Sequence, residues 1–149
     1  MKRLALVVRH GTYDSATGQI DREGTHEMEV LATRINTLVR PGEIVKMVAS
    51  TAPRGQGSAA VLSRGLSGIP WESHEVLWSD YNRTLNAPKA LTFVREKLAD
   101  ADVGIIVTHL EMTERLPGLI MGTGKRLEEL RKGKAWLVNI EDGTFTCVP

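Results

Sequence analysis

Three short runs of apolar residues, separated by stretches with helical period, constrain the fold of this chain more than any other feature. Leu4-Ala5-Leu6-Val7-Val8, Ile44-Val45-Lys46-Met47-Val48 and Val103-Gly104-Ile105-Ile106-Val107 are rich in β-branched residues and nearly continuous rather than alternating. A strand of that kind is covered on both faces, which is the environment of a parallel sheet with helices above and below it.

Between these runs the period changes. Met28, Leu31, Ala32, Ile35, Leu38 and Val39 recur at steps of three and four, so they form one apolar stripe on a helix of about 18 residues that Asp21 caps and Pro41-Gly42 ends. A second helix opens after Ser50 and runs to about Ser67, burying Ala59, Leu62 and Leu66, before Gly68-Ile69-Pro70 breaks it. A third starts with Pro88 in its first turn and carries Leu91, Val94 and Leu98 on one face. Met112, Leu116, Leu119 and Ile120 mark a fourth, which Pro117 is expected to kink or to shorten in its first turn. Trp136 to Ile140, Asp142-Gly143 and Phe145 to Cys147 read as a closing hairpin with a two-residue turn. This order implies an α/β fold, a three-layer α/β/α sandwich with a mostly parallel central sheet.

The length of 149 residues suits one domain over residues 1–149, able to bury roughly 70% of its unfolded surface. Cys147 is the only cysteine, so no internal disulfide forms, and its place near the C-terminus suits a small hydrophobe on an edge strand. Met1-Lys2-Arg3 is basic, but the apolar run after it is too short for a signal peptide, and a cytoplasmic protein is expected. The net charge of +1 gives no electrostatic footprint for nucleic acid. Trp71, Trp78 and Trp136 are too few and scattered to form a stacking platform and suit core or rim packing. No stretch is long and apolar enough for a membrane span.

In open α/β sheets, ligands sit beyond the carboxyl ends of the strands. After the first run come Arg9-His10-Gly11-Thr12, after the second Ser50-Thr51-Ala52-Pro53-Arg54, and after the third Thr108-His109. Parallel strands would bring two guanidinium groups and two imidazoles to one rim. Phosphoryl transfer through a covalent histidine needs such a set. A neutral imidazole attacks phosphorus in line while its other nitrogen stays protonated on an acceptor, and guanidinium forks hold the equatorial oxygens. His10 is the candidate nucleophile, Arg9 and Arg54 are the candidate phosphate ligands, and His109, as a donor or as an imidazolium, would hold the same oxygens from another side. His26 falls off the apolar stripe and reads as a surface residue, while His74 suits either the rim or a solvated strand.

Gly122-Thr123-Gly124-Lys125-Arg126 only superficially resembles a phosphate-binding P-loop. Its upstream glycine is out of register, Arg126 stands where a hydroxyl is required, and a helix precedes it, so a helix C-cap is the better reading. A metal site is disfavoured because there is no His-x-His pair and the two arginines would repel a cation.

The chain resembles the histidine phosphatase superfamily, which includes the cofactor-dependent phosphoglycerate mutases. Arg9-His10-Gly11 matches the hallmark at the end of the family's first strand, and Asp21-Arg22-Glu23-Gly24 resembles its entry into the first helix. Ser50 through Arg54 to Ser58-Ala59 is similar to the second signature, and Val107-Thr108-His109 to the second histidine. The matches span nearly the whole chain in the family's order. The resemblance implies a phosphoglycerate mutase-like fold, phosphohistidine formation on His10, a phosphate pocket of Arg9, Arg54 and His109, and no metal or other cofactor.

Two departures bear on the substrate. Ser79 stands where the family's general acid is expected and Asp80 is one position late, which leaves Glu75, Asp80 and Glu111 as candidate donors. The long lid insertion of the mutases is absent. Both features resemble the short branch that contains protein phosphohistidine phosphatases. A phosphohistidine imidazole protonated at its far nitrogen leaves as a neutral molecule and needs little help from an acid. The expected activity is therefore metal-independent hydrolysis of a phosphohistidine or a small phosphomonoester, with a phosphorylated small molecule or a phosphoprotein as partner. The rival reading is a non-catalytic phosphate- or phosphoprotein-binding module that keeps the pocket without a working acid.

Overall fold

The computed structural model describes residues 1–78 and 86–149. The chain runs β1 (Leu4–Arg9), α1 (Arg22–Leu38), β2 (Val45–Ala49), α2 (Pro53–Gly65), β3 (Trp71–Ser73), a 3₁₀ turn (Glu75–Leu77), α3 (Ala87–Lys97), β4 (Val103–Thr108), α4 (Leu110–Ile120), β5 (Ala135–Asn139) and β6 (Thr144–Val148). The six strands form one sheet in the order β3-β2-β4-β1-β5-β6. β1, β4, β2 and β3 are mutually parallel, while β5 runs antiparallel to β1 and pairs with β6 in a hairpin. The α/β sandwich with a mostly parallel sheet is therefore the observed architecture.

The continuous apolar runs have the reason assigned to them. Leu4, Leu6, Val8, Ile105 and Val107 face one layer, packed with Met28, Leu31 and Ile35 of α1 and Ala59 and Leu62 of α2. Val7, Ile106 and Val48 face the other, packed with Ala90 and Val94 of α3 and Met112 and Leu116 of α4. Each buried leucine or isoleucine contributes roughly 2 kcal/mol by leaving water, so both faces of the central strands anchor the sandwich.

Four details differ from the sequence reading. α1 ends at Leu38, because Val39 already has an extended backbone (ψ 133°). Pro117 lies in the second half of α4 and leaves the first turn intact. The β5–β6 connection holds four residues rather than two, since Asn139 Oδ1 accepts from the amides of Glu141 and Asp142 and Gly143 closes the turn at φ 72°. β3 is three residues long, too short to leave a period in the sequence. The glycine-rich segment after α4 is a C-cap: Gly122 has φ 74°, and the Thr123 and Gly124 amides return to the Gly118 carbonyl. Cys147 is a free, exposed thiol on β6 at the sheet edge. Among the described residues no helix is long and apolar enough to cross a membrane.

Asp21 caps α1 by accepting from the Gly24 amide at 2.8 Å. That first turn meets the loop after β1 backbone to backbone. A Cβ on Gly24 would lie 2.0 Å from the Thr12 carbonyl oxygen, and one on Gly11 would lie 2.8 Å from the Gly24 oxygen. Gly24→Ala should therefore destabilise the fold by about 2 kcal/mol and lower the melting temperature by roughly 6 °C. An unchanged melting curve would show that the two backbones can separate freely.

Candidate active site

The site follows from strand register. Arg9 of β1 lies opposite Thr108 of β4, and Val107 of β4 lies opposite Ala49 of β2. The carboxyl ends of three parallel strands thus stand side by side, and His10, His109 and Ser50 are the residues that leave them. The His10 amide donates to the Thr108 carbonyl at 3.1 Å and the Ser50 amide to the Val107 carbonyl at 2.9 Å, so the ladder extends into the site. α2 and α4 start immediately beyond, and neither N-terminus carries a side-chain cap. The helix dipoles there favour a negative charge.

His10 is 3% exposed, and its Nδ1 lies 2.9 Å from the Gly11 carbonyl oxygen. A carbonyl only accepts, so Nδ1 carries the proton and Nε2 presents its lone pair. Arg54 Nε–H points at that lone pair from 3.3 Å. The turn behind His10 is held from three sides. The Gly11 amide donates to Ser58 Oγ at 3.0 Å, the Thr12 amide and hydroxyl donate to the Glu27 carboxylate, and the Gly133 amide is shared between the Arg9 and His10 carbonyls.

His109 stands edge-on to His10, with ring centroids 5.1 Å apart, and Trp78 stacks on its other side. Its Nε2 lies 2.8 Å from Ser50 Oγ, which also accepts from the Ala52 amide. Ser50 is fully buried, so its own hydroxyl proton needs an acceptor, and Nε2 supplies one. This network assigns the His109 proton to Nδ1. That buried atom has no hydrogen-bond partner among the described residues and is a donor awaiting an acceptor.

The charges that act on His10 share one sign. Arg54 packs over the Tyr13 ring at 4.7 Å and the Trp78 ring at 5.7 Å, with no carboxylate partner among the described residues. Arg9 Nη1 donates to the Leu130 carbonyl at 2.7 Å, while its buried Nε has no partner there. Burial, and then the Arg54, Arg9 and Lys132 charges, push His10 down to about 4, against the opposing pull of the Gly11 carbonyl. Burial, then His10, Arg54 and Arg9, push His109 down to about 2. Burial also lowers the Arg9 pKa, countered in part by Glu129 and Glu111. Both imidazoles are therefore neutral near pH 7, inside a rim of cations.

Of the residues read from the sequence, His10, His109 and Arg54 converge by direct contact, and Arg9 adjoins them closely enough for its charge to act on both rings. His74 does not join them. Its Nδ1 accepts from the Val76 amide to cap the 3₁₀ turn, and its ring lies against Phe93. Glu75 is exposed on that turn, and Glu111 is exposed in the first turn of α4, where its charge acts on Arg9. Asp80 and Ser79 lie outside the described residues. His26 is exposed on α1. The sequence singles out Ser50 and Ser58 only as positions of a motif and gives no sign of Tyr13 or Lys132, since an aromatic that carries a cation leaves no spacing signal. Among the described residues no three His, Cys, Asp or Glu side chains gather as a metal site requires.

This architecture is similar to the folds of solved phosphatases and of a phosphoglycerate mutase. The protein histidine phosphatase SixA in complex with tungstate superposes with a TM-score of 0.69 at 16% identity, over 96% of this chain and 94% of that one. Mycobacterial glucosyl-3-phosphoglycerate phosphatase in complex with VO3 gives 0.71 at 13%, over 98% and 97%. Phosphoglycerate mutase from Plasmodium falciparum gives 0.64 at 13%, over 98% and 88%. No family model and no curated protein matches the sequence.

Two outcomes follow. Unfolded histidines titrate near 6.5 while these two titrate near 4 and 2, so below pH 6.5 the unfolded chain binds more protons than the folded one. Stability should fall as pH drops from 6.5 toward 4, with a slope approaching about two protons. Chemical denaturation across that range should show His10→Gln and His109→Gln each removing about one proton from the slope; an unaltered slope would mean that the rings are charged in the fold. Ser50→Ala should release the His109 tautomer, so that ¹⁵N spectra show mixed Nδ1–H and Nε2–H forms instead of one.

Proposed function

We propose that this chain is a metal-independent phosphatase that hydrolyses a phosphohistidine or a small phosphomonoester through a phosphohistidine intermediate on His10. One observation carries the reading: His10 Nε2 offers its lone pair to a space ringed by donors, while Nδ1–H is tied to Gly11. A cation would be repelled from this rim, and a phosphoryl group would be held in it.

The chemistry follows from the atoms. The substrate phosphoryl group displaces the Arg54 Nε–H from the lone pair, and Nε2 attacks phosphorus in line. The bond between phosphorus and the leaving oxygen or nitrogen breaks as the Nε2–P bond forms. Arg9, Arg54 and the His109 Nδ1–H hold the equatorial oxygens, where charge builds up. Positive charge arising on the His10 ring is shared with the Gly11 carbonyl through Nδ1–H. An alkoxide leaving group takes a proton from an acid, whereas an imidazole protonated at its far nitrogen departs neutral. Water then attacks phosphorus, the Nε2–P bond breaks, the lone pair returns, and the proton shed by water leaves with phosphate. The oxyanion complexes reported for two proteins of this fold support the reading.

The test uses a substrate whose leaving group needs no proton. An aryl phosphate such as 4-nitrophenyl phosphate should be turned over, His10→Ala should lower kcat by at least about a thousandfold, and chelator should have no effect. Arg54→Ala should cost roughly a hundredfold, because it removes one charged donor to the transition state. Tight phosphate binding without turnover would favour the binding-module reading.

A further inference from the structure

One charged group near the site is not needed by the phosphoryl cradle. Lys132 sits on the segment before β5, half-buried, with Nζ 5.1 Å from the centroid of the Tyr13 ring. The same ring carries the Arg54 guanidinium at 4.7 Å and meets the edge of His10 at 5.4 Å. We propose that Lys132, held over Tyr13, forms an outer anion subsite that selects substrates bearing a carboxylate beside the phosphoryl group. This inference rests on reading His10 as the centre of a phosphoryl site.

The position of Lys132 is fixed relative to the nucleophile. The Gly133 amide is shared between the Arg9 carbonyl at 3.2 Å and the His10 carbonyl at 3.1 Å, and the Arg9 amide donates to the Lys134 carbonyl at 3.0 Å. Arg9 Nη1 holds the Leu130 carbonyl. Gly133 has φ 76°, and a Cβ there would come within 2.7 Å of the Glu27 Cβ, so the segment fits against α1 only with glycine at that position. The backbone on either side of Lys132 is thus tied to the two residues that carry the site.

Its charge is unspent. Among the described residues no carboxylate lies within ion-pairing distance of Nζ, and the Glu27 carboxylate beside Gly133 is occupied by Thr12. An ammonium and a guanidinium on one ring, with no anion between them, repel each other unless a ligand supplies the charge. Arg9, Arg54 and His109 already meet a phosphoryl group. Lys132 acts on His10 more weakly than either arginine and packs on the Tyr13 ring, whereas Arg54 contacts His10 directly. The group it faces is therefore the part of the substrate that stays outside: a carboxylate on a small phosphate ester, or an acidic side chain flanking a phosphorylated residue.

Binding of non-hydrolysable phosphonates tests this without turnover. Calorimetry on the full chain should show 4-carboxyphenylphosphonate binding about fivefold more tightly than phenylphosphonate, a preference that shrinks as salt rises. Lys132→Gln should abolish the preference while leaving phenylphosphonate affinity within about twofold, and Lys132→Arg should keep it. Equal affinity of the unaltered protein for the two ligands would overturn the subsite and leave the phosphoryl reading standing. Binding of neither would overturn the phosphoryl reading itself. An equal loss for both ligands in Lys132→Gln would make Lys132 a phosphoryl ligand and overturn the outer position. Peptides carrying a phosphonate analogue of phosphohistidine, flanked by Asp or by Asn, distinguish the sources: a larger preference there than between the arylphosphonates identifies a protein substrate, and a smaller one a metabolite.

Discussion

Two imidazoles kept uncharged inside a ring of cations are the constraint on which the rest of this structure depends. A histidine in water is protonated to a useful degree near neutrality, and a protonated His10 has no lone pair to give. Burial removes the solvent that would stabilise the imidazolium, and Arg54 and Arg9 add the larger part of the repulsion. The Gly11 carbonyl works the other way, since an acceptor on Nδ1–H favours the charged ring. The balance leaves a neutral imidazole with its proton on Nδ1 and its lone pair on Nε2, the form the proposed attack requires. Arg54 beside it has no carboxylate partner among the described residues, so its charge is open to an entering anion.

That arrangement requires parallel strands. Arg54 and His10 are 44 positions apart, and Ser50 and His109 are 59 apart, yet each pair is in contact. β1, β4 and β2 bring them together because the connections through α1, α2 and α3 return each of these strands in the same direction. The antiparallel β5 adds what parallel strands alone would not. The segment that enters it passes across the carboxyl end of β1, so Gly133 and Lys134 can bond to the backbone of Arg9 and His10. The uncapped starts of α2 and α4 complete the rim, and a side-chain cap on either would place an acceptor where a substrate oxygen belongs.

The sandwich was legible because burial on both faces forces continuous apolar runs, and the alternation of period locates the helices between them. His10, Arg9, Arg54 and His109 were legible because each stands just beyond such a run or opens the helix after it. What escaped was set by other means. β3 is three residues long and owes its place to pairing with β2, which no local pattern encodes. The four-residue hairpin turn depends on the Asn139 side chain accepting two amides, which makes Asp142-Gly143 a poor guide to its length. Tyr13 and Lys132 matter through contacts with each other and with Arg54 and His10, and their identities alone do not distinguish them from any loop tyrosine or lysine.

The same electrostatics limit where a general acid can stand. On the proposed function, a carboxylate in contact with His10 would raise its pKa and neutralise an arginine meant for the phosphoryl group, undoing the condition that keeps the ring neutral. A proton donor for an alkoxide must therefore act from the leaving-group side, across the width of a phosphoryl group. Glu111 illustrates the difficulty: it opens α4 within two residues of His109, and its charge reaches Arg9 rather than either imidazole. A leaving group that carries its own proton, as an imidazole does, escapes this conflict altogether. The more strongly a site is built to keep its nucleophile neutral by surrounding cations, the better it suits substrates that depart without an acid.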